Sequence, residues 1–179
     1  MLTTCMYDTL EINSFDVYSV GDKGMAIPFK KWIDLVGVNG ELVALKATFD
    51  DRAMVNVIDK EVFEAVWHRI LEPQLSLRVL HMANGTLISS GGSWLGAVVV
   101  NNVRMEGTFE IIASGGTWNI LFGKPMLQAF AATHEYVTDT ITINSNTSNE
   151  SVPTAIITNE NVQNLLLAEL LQKSKVAVA

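Results

Sequence analysis

The sequence predicts a mostly β protein, a closed barrel-like arrangement of hairpins with one or two short helices and a separate C-terminal amphipathic helix. Two observations support this fold class. Short apolar segments are separated by turn signals, including Asn39-Gly40 and Asn84-Gly85, and Asn-Gly is the strongest short-range hairpin signal. The chain has 179 residues, of which 49% are hydrophobic, so it can bury a core of about one domain.

The predicted elements follow one another closely. Asp59 is the predicted N-cap of a short helix, with Ile58 and Phe63 as a hydrophobic staple, and this helix ends near Arg69. A second short helix covers residues 126–130, after a proline that is tolerated in the first helical turn. The predicted strands are 32–38, 41–49, 78–82, 86–90, 94–100, 103–112, 118–122, 136–137 and 140–143.

Composition divides the chain into four segments. Residues 1–24 form an N-terminal arm or edge strand, and residues 25–144 form the compact domain. Residues 145–161 are rich in Asn, Ser and Thr and are predicted to be a polar linker. Residues 162–175 carry an apolar stripe at helical spacing and are predicted to be an amphipathic helix. That helix either packs on its own domain or binds a partner.

Charge and cysteine content limit the possible partners and surroundings. The 12 basic and 19 acidic residues give a net charge of -7, which disfavours binding to nucleic acid or to an anionic membrane surface. No segment approaches the roughly 20 apolar residues that span a bilayer. Cys5 is the only cysteine, and the acidic N-terminus does not have the pattern of a signal peptide. We therefore expect an intracellular, cytoplasmic protein without membrane segments.

We expect neither a metal nor a cofactor. The three histidines are far apart in sequence, and none belongs to a metal-binding pattern. Gly123-Lys124-Pro125 departs from a phosphate-binding loop, because no Ser or Thr follows the lysine and no glycine stands five residues before Gly123. The glycines of residues 91–96 match neither a dinucleotide fingerprint nor a nucleophile elbow.

The segment Asp50-Asp51-Arg52-Ala53 is the strongest candidate for chemistry. It follows a predicted apolar strand directly and precedes the apolar residues 54–58. An aspartate at the end of a buried strand, on a tight loop, can be held rigidly in one orientation. The alternative is a solvated turn in which Asp50 and Asp51 cap backbone amides.

In its order of elements the chain resembles the retropepsin family, the retroviral-type aspartic peptidases, in the form carried by long-terminal-repeat retrotransposons. The family's catalytic loop, Asp-Ser/Thr-Gly-Ala, is matched by residues 50–53. Its flap hairpin is matched by residues 78–94, with Asn84 and Gly85 near the tip. Its Ile-Leu-Gly element is matched by residues 120–123, with one phenylalanine intervening. The resemblance covers roughly residues 32–143, so it identifies residues 25–144 as a retropepsin-like domain with an acid-protease barrel.

This resemblance implies an aspartic endopeptidase that acts as a homodimer. Asp50 is then the catalytic residue, supplied once by each chain, while Asp51, Arg52 and Ala53 complete the catalytic loop. The two carboxyl groups share a proton, and together they activate water and protonate the carbonyl oxygen of the substrate. The implied partners are a second copy of the chain and a polypeptide substrate or peptide ligand.

Two positions of the catalytic loop differ from the family pattern. Asp51 stands where the family has a hydroxyl residue, and Arg52 stands where it has glycine. The bulk and charge of Arg52 argue against activity. Two functions therefore stay open: an aspartic endopeptidase, intact or degenerate, or a catalytically inactive dimerisation or peptide-binding module of the same fold. A β-barrel assembly domain unrelated to peptidases is a third alternative.

Overall fold

A computed structural model describes residues 27–144 and 154–160, together with the backbone of Leu10–Ile12. The strands are β1 (Leu10–Ile12), β2 (Phe29–Val36), β3 (Leu42–Phe49), β4 (Asn56–Asp59), β5 (Val79–Met82), β6 (Leu87–Ser89), β7 (Ser93–Val100), β8 (Val103–Ile112), β9 (Ile120–Phe122), β10 (Thr133–Glu135), β11 (Thr140–Asn144) and β12 (Thr154–Thr158). The helices are α1 (Lys60–Val66), a following 3-10 turn (Trp67–Arg69) and α2 (Lys124–Ala129). In these parts of the chain, no helix is long and apolar enough to cross a membrane.

Six strands close into a barrel, in the order β2-β3-β9-β4-β8-β7. The barrel closes because β7 pairs with β2, through Val98 and Val99. Its interior is filled by large side chains that are removed from water, among them Trp94, Phe109 and Phe122. The rings of Phe109 and Phe122 have centroids 5.9 Å apart, so aromatic packing contributes to this core. The predicted mostly β barrel with short helices is confirmed.

Strand β9 lies between β3 and β4 in the barrel, although β3 and β4 are consecutive in this part of the chain. It pairs in parallel with β3 and antiparallel with β4. The connection from β3 to β4, residues 50–55, must therefore pass over the end of β9. We call this connection the aspartate loop.

Two smaller sheets lie outside the barrel, in the orders β1-β5-β6 and β10-β11-β12. The β5–β6 hairpin turns at Asn84-Gly85 as predicted. Gly85 has a φ of 81°, in the left-handed region that glycine adopts without strain. Strand β1 adds to this hairpin in parallel with β5.

The N-terminus of α1 is capped as the sequence predicts. The side chain of Asp59 accepts hydrogen bonds from the backbone N–H groups of Glu61 and Val62, at 3.0 and 3.2 Å. The 3-10 turn ends at Arg69, which agrees with the predicted end of the helical segment.

The backbone edge of β2 near its start is covered by two side chains that follow β12. Asn159 Oδ1 accepts from Lys30 N–H at 3.1 Å, and Asn159 Nδ2 donates to the Pro28 carbonyl at 3.1 Å. Glu160 Oε1 accepts from Trp32 N–H at 3.4 Å and lies 3.1 Å from Lys31 Nζ. These contacts join the β10-β11-β12 sheet to the barrel.

Two sequence predictions need correction at the C-terminal end of the domain. The predicted strand 136–137 is wrong, because β10 ends at Glu135 and both residues lie exposed in the turn that leads to β11. The predicted linker 145–161 contains β12, which pairs with β11 because its alternation buries Ala155 and Ile157. The other predicted strands are present, apart from shifts of a few residues at their ends, and β10 (Thr133–Glu135) was not predicted.

The predicted helix 162–175 lies outside the described residues, as does most of the predicted arm 1–24. Of that arm the structure describes Leu10–Ile12, which form the edge strand β1.

Candidate active site

Asp50 is the first residue after β3, and its backbone is fixed to β9. Its N–H donates to the carbonyl of Phe122 at 3.0 Å, which continues the parallel pairing of Phe49 with Phe122. The aspartate loop then passes over Gly123. A Cβ atom at Gly123 would overlap the carbonyl oxygens of Val55 and Ala53, so this crossing requires glycine for lack of space.

Asn56 holds the far end of the aspartate loop, and sequence reasoning did not identify it as part of the site. Its side chain is buried, and its Oδ1 accepts from the N–H groups of Gly123 and Met126, both at 3.1 Å. Its Nδ2 donates to the carbonyl of Thr108 at 3.0 Å. The signal that could have revealed it is a lone amide between apolar residues on both sides, Val55 and Val57.

The first turn of α2 completes the support of the loop. Lys124 N–H donates to the carbonyl of Ala53 at 2.7 Å, and the side chain of Ala53 is fully buried. The loop is therefore held by backbone and amide groups of β9, α2 and Asn56, while Asp50 keeps most of its carboxyl oxygen lone pairs unused.

The carboxyl group of Asp50 is partly buried, and burial raises its pKa above the ordinary aspartate value. Its Oδ1 accepts from Arg52 N–H at 2.9 Å, and this hydrogen bond acts in the opposite direction. The negative charge of Asp51 adds to the rise, whereas the N–H of Ala53 and the positive charge of Arg52 oppose it. The net result is an aspartate that keeps its proton to higher pH than usual.

Asp51 and Arg52 are exposed at the surface of the loop. Within the described part of the chain, Arg52 has no ion-pair partner. Its backbone does not have a positive φ, a conformation that the described non-glycine residues adopt only at Asn101, Ala131 and Asp139. Arg52 therefore adopts its loop conformation without left-handed strain, and its positive charge acts on the carboxyl group of Asp50.

An open cleft of about 810 Å³ lies in front of Asp50, and we call it the aspartate cleft. Its lining combines charged groups with an aromatic and aliphatic wall, a composition suited to binding a ligand that is partly apolar. The lining residues are Phe29, Phe49, Asp50, Asp51, Lys124, Leu127, Gln128, Ala131, Ala132, His134, Tyr136 and Ile141.

His134 lines the aspartate cleft and is oriented by three neighbours. Its Nε2 lies 3.0 Å from Asp139 Oδ1, and its ring packs against the rings of Tyr136 and Phe29, with centroids 4.2 and 5.5 Å away. Asp139 also accepts from Asn159 Nδ2 at 2.7 Å. This wall of the cleft is thus connected to the side chains that cover the edge of β2.

The β5–β6 hairpin packs on the side of the aspartate loop that bears Ala53 and Val55. Its residue Leu80 is fully buried in a cluster with these two residues, and Met82 and Ile88 pack against the same cluster. Asn84 and Gly85 are exposed at the tip and do not line the aspartate cleft. Of the predicted site residues, the structure therefore places Asp50 and Asp51 at the aspartate cleft. Ala53 is buried beneath the loop, and neither Arg52 nor the two predicted flap residues line the cleft.

Among the described residues, no group of three or more His, Cys, Asp or Glu side chains is arranged to hold a metal ion.

The sequence matches no protein-family model and no curated protein. Among solved structures, the chain is similar to the retroviral protease-like domain of Ddi1 from Leishmania major, with 12% sequence identity and a TM-score of 0.44. The match covers 73% of this chain and 95% of that chain. The interpretation of Asp50 depends on the geometry of its own loop and cleft.

Proposed function

We propose that this chain is a retropepsin-like aspartic endopeptidase domain in which Asp50 is the catalytic residue. The observation that carries the proposal is the environment of Asp50: a partly buried carboxyl group with a raised pKa, on a rigidly held loop that faces an open cleft. Perturbed carboxyl groups in clefts are typical of acid–base sites. A carboxyl group that keeps its proton is also what a proton-sharing pair of aspartates requires.

The proposed enzyme is a homodimer, because the loop supplies one Asp50 per chain and the mechanism needs two. A two-fold axis beside the aspartate loop brings the second Asp50 from an identical chain. Two carboxyl groups at short distance cannot both ionise, so the pair retains one proton. The homodimer thus adds to the rise in pKa that burial already causes in one chain.

Peptide hydrolysis then follows from the two protonation states. The ionised Asp50 removes a proton from water, and the oxygen of that water attacks the carbonyl carbon of the substrate. The protonated Asp50 gives its proton to the carbonyl oxygen, which produces a neutral diol. When the C–N bond breaks, one proton passes to the leaving nitrogen, and the products are a carboxylic acid and an amine.

Arg52 is the residue that decides whether this chemistry occurs in the natural sequence. Its charge lowers the pKa of Asp50, but less than burial and Asp51 raise it. Its side chain is exposed on the same loop as Asp50, so we expect it to hinder the approach of a substrate. We expect Arg52 to reduce the rate by obstructing the substrate and by favouring ionisation of both carboxyl groups.

The experiment is a peptide-library cleavage assay from about pH 4 to 7 on the parent chain and three variants. Asp50→Asn is expected to reduce cleavage by about 10³-fold, because the amide cannot act as a base. Arg52→Gly is expected to increase cleavage, and Asp51→Asn is a control for the loss of one nearby charge. Cleavage that survives Asp50→Asn would refute the assignment of Asp50.

A catalytically inactive dimerisation or peptide-binding module is the second candidate. It is favoured by one observation, the exposed Arg52 in the position of the family's glycine. Absence of cleavage in both the parent and Arg52→Gly, with a particle of twice 19.6 kDa in solution, would support this candidate. A 19.6 kDa particle at micromolar concentration would count against both.

A further inference from the structure

One glutamate on the outer face of β8 is buried, although its neighbours along that face are exposed. Alternate residues of a strand share a face, and on this one Arg104, Glu106 and Thr108 are exposed. The next residue of the same face, Glu110, is only 2% exposed. A carboxyl group buried to this degree needs specific partners, because an unpaired buried charge is costly.

Two side chains from the segment before β5 are the partners of Glu110. Ser76 Oγ donates to Glu110 Oε2 at 2.7 Å, and Arg78 Nη1 lies 3.2 Å from Glu110 Oε1. Leu75 and Leu77, at the intervening positions, are 87% and 85% exposed, so this segment directs its polar side chains to the barrel and its leucines to solvent. We call residues 74–78 the strap, and we call Glu110, Ser76 and Arg78 the latch.

The strap leads directly into the hairpin that packs on the aspartate loop. Leu80 is fully buried in a cluster that contains Ile112 of β8 and residues of the aspartate loop. Two successive positions on the outer face of β8, Glu110 and Ile112, therefore meet one continuous stretch of chain. A shift of that stretch by one residue would place Leu77 against the carboxylate and leave it without a donor. The buried charge thus favours one position of the hairpin on the barrel.

The two ends of the hairpin are attached to the barrel in different ways. After β6, Gly91 N–H donates to the Ile111 carbonyl at 2.8 Å, and Ile111 N–H donates to the Gly92 carbonyl at 2.9 Å. Before β5, the strap pairs by its backbone at Gln74, with Ser93 of β7. Beyond that bridge, the strap reaches β8 through the side chains of the latch. One end is therefore held by backbone pairing and the other by side chains that can separate.

We infer that the latch holds the β5–β6 hairpin at one position over the aspartate loop, and that breaking the latch lets the hairpin open about its β6 end while the barrel stays folded. A buried ion pair contributes little net stability, because desolvation offsets the attraction, yet a charge that accepts only matching partners selects one arrangement. Glu110 is thus a positioning residue for the hairpin. This inference does not require Asp50 to be catalytic.

The test compares full-length variants that change the charges of the latch. Arg78→Gln leaves the carboxylate of Glu110 buried without its cation, whereas the double variant Arg78→Gln with Glu110→Gln removes both charges. Arg78→Lys keeps the positive charge. The matched control is the double variant Lys60→Gln with Glu64→Gln, which removes an exposed ion pair at 3.8 Å on α1.

Amide hydrogen exchange under native conditions is measured at three positions. The amides of Met82 and Ser90 donate to the carbonyls of Thr86 and Arg78 within the hairpin. They report on its opening, because a two-stranded hairpin without its support is marginally stable. The amide of Leu121 reports on the barrel, since β9 is paired on both sides.

We expect Met82 and Ser90 to exchange about ten-fold faster in the double latch variant than in the parent, with Leu121 changed by less than about two-fold. Arg78→Gln alone should accelerate the hairpin amides further, because the carboxylate stays buried and unpaired. Arg78→Lys should stay within about three-fold of the parent, and the control pair within about two-fold.

Three results would overturn the latch. The first is unchanged exchange of the hairpin amides in the double latch variant. The second is equal acceleration of these amides and of Leu121, which would mean that Glu110 supports the whole barrel. The third is exchange as fast in Arg78→Lys as in Arg78→Gln, which would mean that the positive charge does not hold the hairpin.

A further variant covers the case in which the double latch variant unfolds the barrel, which fast exchange at Leu121 would reveal. Ser76→Ala removes one hydrogen bond to Glu110 and keeps the ion pair, so the hairpin amides should exchange about three-fold faster with Leu121 unchanged. No change in the hairpin, or an equal change at Leu121, would again overturn the proposal. Cleavage assays on Asp50→Asn are separate, so failure of the proposed activity and failure of the latch can be distinguished.

Discussion

Asp50 directly follows β3 and Asp59 ends β4, yet the fold gives their carboxyl groups opposite properties. Asp59 closes β4 and is buried, which alone would raise its pKa. The side-chain hydroxyl and N–H of Ser114, together with the N–H groups of Val62 and Glu61, outweigh burial and lower it. Asp50 has far less hydrogen bonding, so burial prevails and its pKa is raised.

The difference shows that the number of donors around a strand-end aspartate decides the direction in which its pKa shifts. Asp59 uses both carboxyl oxygens in fixed hydrogen bonds, with Ser114 N–H at 2.8 Å from Oδ2, and serves as a structural cap. The Asp50 loop is instead held by other residues, above all Asn56, which leaves the carboxyl group available to a ligand or to a second chain.

The largest effect on stability is expected for Asn56→Ala, which tests whether the loop is supported independently of Asp50. The substitution removes three hydrogen bonds, from the N–H groups of Gly123 and Met126 and to the carbonyl of Thr108. The Met126 N–H keeps its bond to the Gly123 carbonyl at 3.0 Å. The free energy of unfolding should fall by about 3 kcal/mol in urea denaturation, at about 1 kcal/mol for each lost bond. Asn119→Ala, at an exposed position, is the matched control and should stay within about 0.5 kcal/mol. Equal effects of the two substitutions would mean that Asn56 does not anchor the loop.

A smaller loss is expected for Asp59→Ala, which removes the cap of α1 and the bond to Ser114. We expect the free energy of unfolding to fall by about 2 kcal/mol, since the N-cap and a buried hydrogen bond are lost together. Asp51→Ala removes an exposed carboxylate and should change stability by less than about 0.5 kcal/mol. A neutral Asp59→Ala would contradict the structural role.

The smallest effect concerns pH, and it has opposite sign at the two aspartates. Asp59 has a folded pKa below 3.8, so its stabilisation is present above that pH and is lost as pH falls through the folded pKa. Asp50 has a folded pKa above 3.8, the value for the unfolded chain. Its contribution to the free energy of unfolding is therefore largest below pH 3.8 and is lost as pH rises through the folded pKa. Urea denaturation from about pH 3 to 7 gives the free energy of unfolding of the parent and of each Asp→Asn variant. We expect the parent value minus the variant value to rise with pH for Asp59 and to fall with pH for Asp50. Parallel pH profiles would show that the two carboxyl groups do not differ as described.

Local features of the fold could be predicted because their signals lie within a few residues. The Asn-Gly turns are recovered with Gly40 and Gly85 at φ values of 85° and 81°, and Asp59 caps α1. The insertion of β9 between β3 and β4 could not be predicted in this way. It depends on pairing between residues some 70 positions apart, such as Phe49 with Phe122.

In the candidate site, too, residues with a local sequence signal could be predicted, and residues placed by distant contacts could not. Asp50 stands out in the sequence because a charge follows an apolar strand abruptly, and the structure places it in a cleft. Asn56 holds the loop through Gly123 and Met126, and His134 shares the cleft with Phe29 and Asp50. These residues are distant in sequence, so neither Asn56 nor His134 had a visible role. Strand β12 was missed because its short alternation, with Ala155 and Ile157 inward, lies in a segment dominated by Asn, Ser and Thr.

The side chains of Asn159 and Glu160 have a practical consequence for preparing this domain. They occupy the backbone groups of Pro28, Lys30 and Trp32, which would otherwise form an open strand edge. Open edges pair with one another between molecules and lead to aggregation. A recombinant fragment that stops in the polar segment before β12 would lose both the strand and this cover. We expect such a fragment to aggregate through the exposed edge of β2, although the barrel itself is intact. The shortest useful C-terminus therefore lies beyond Glu160.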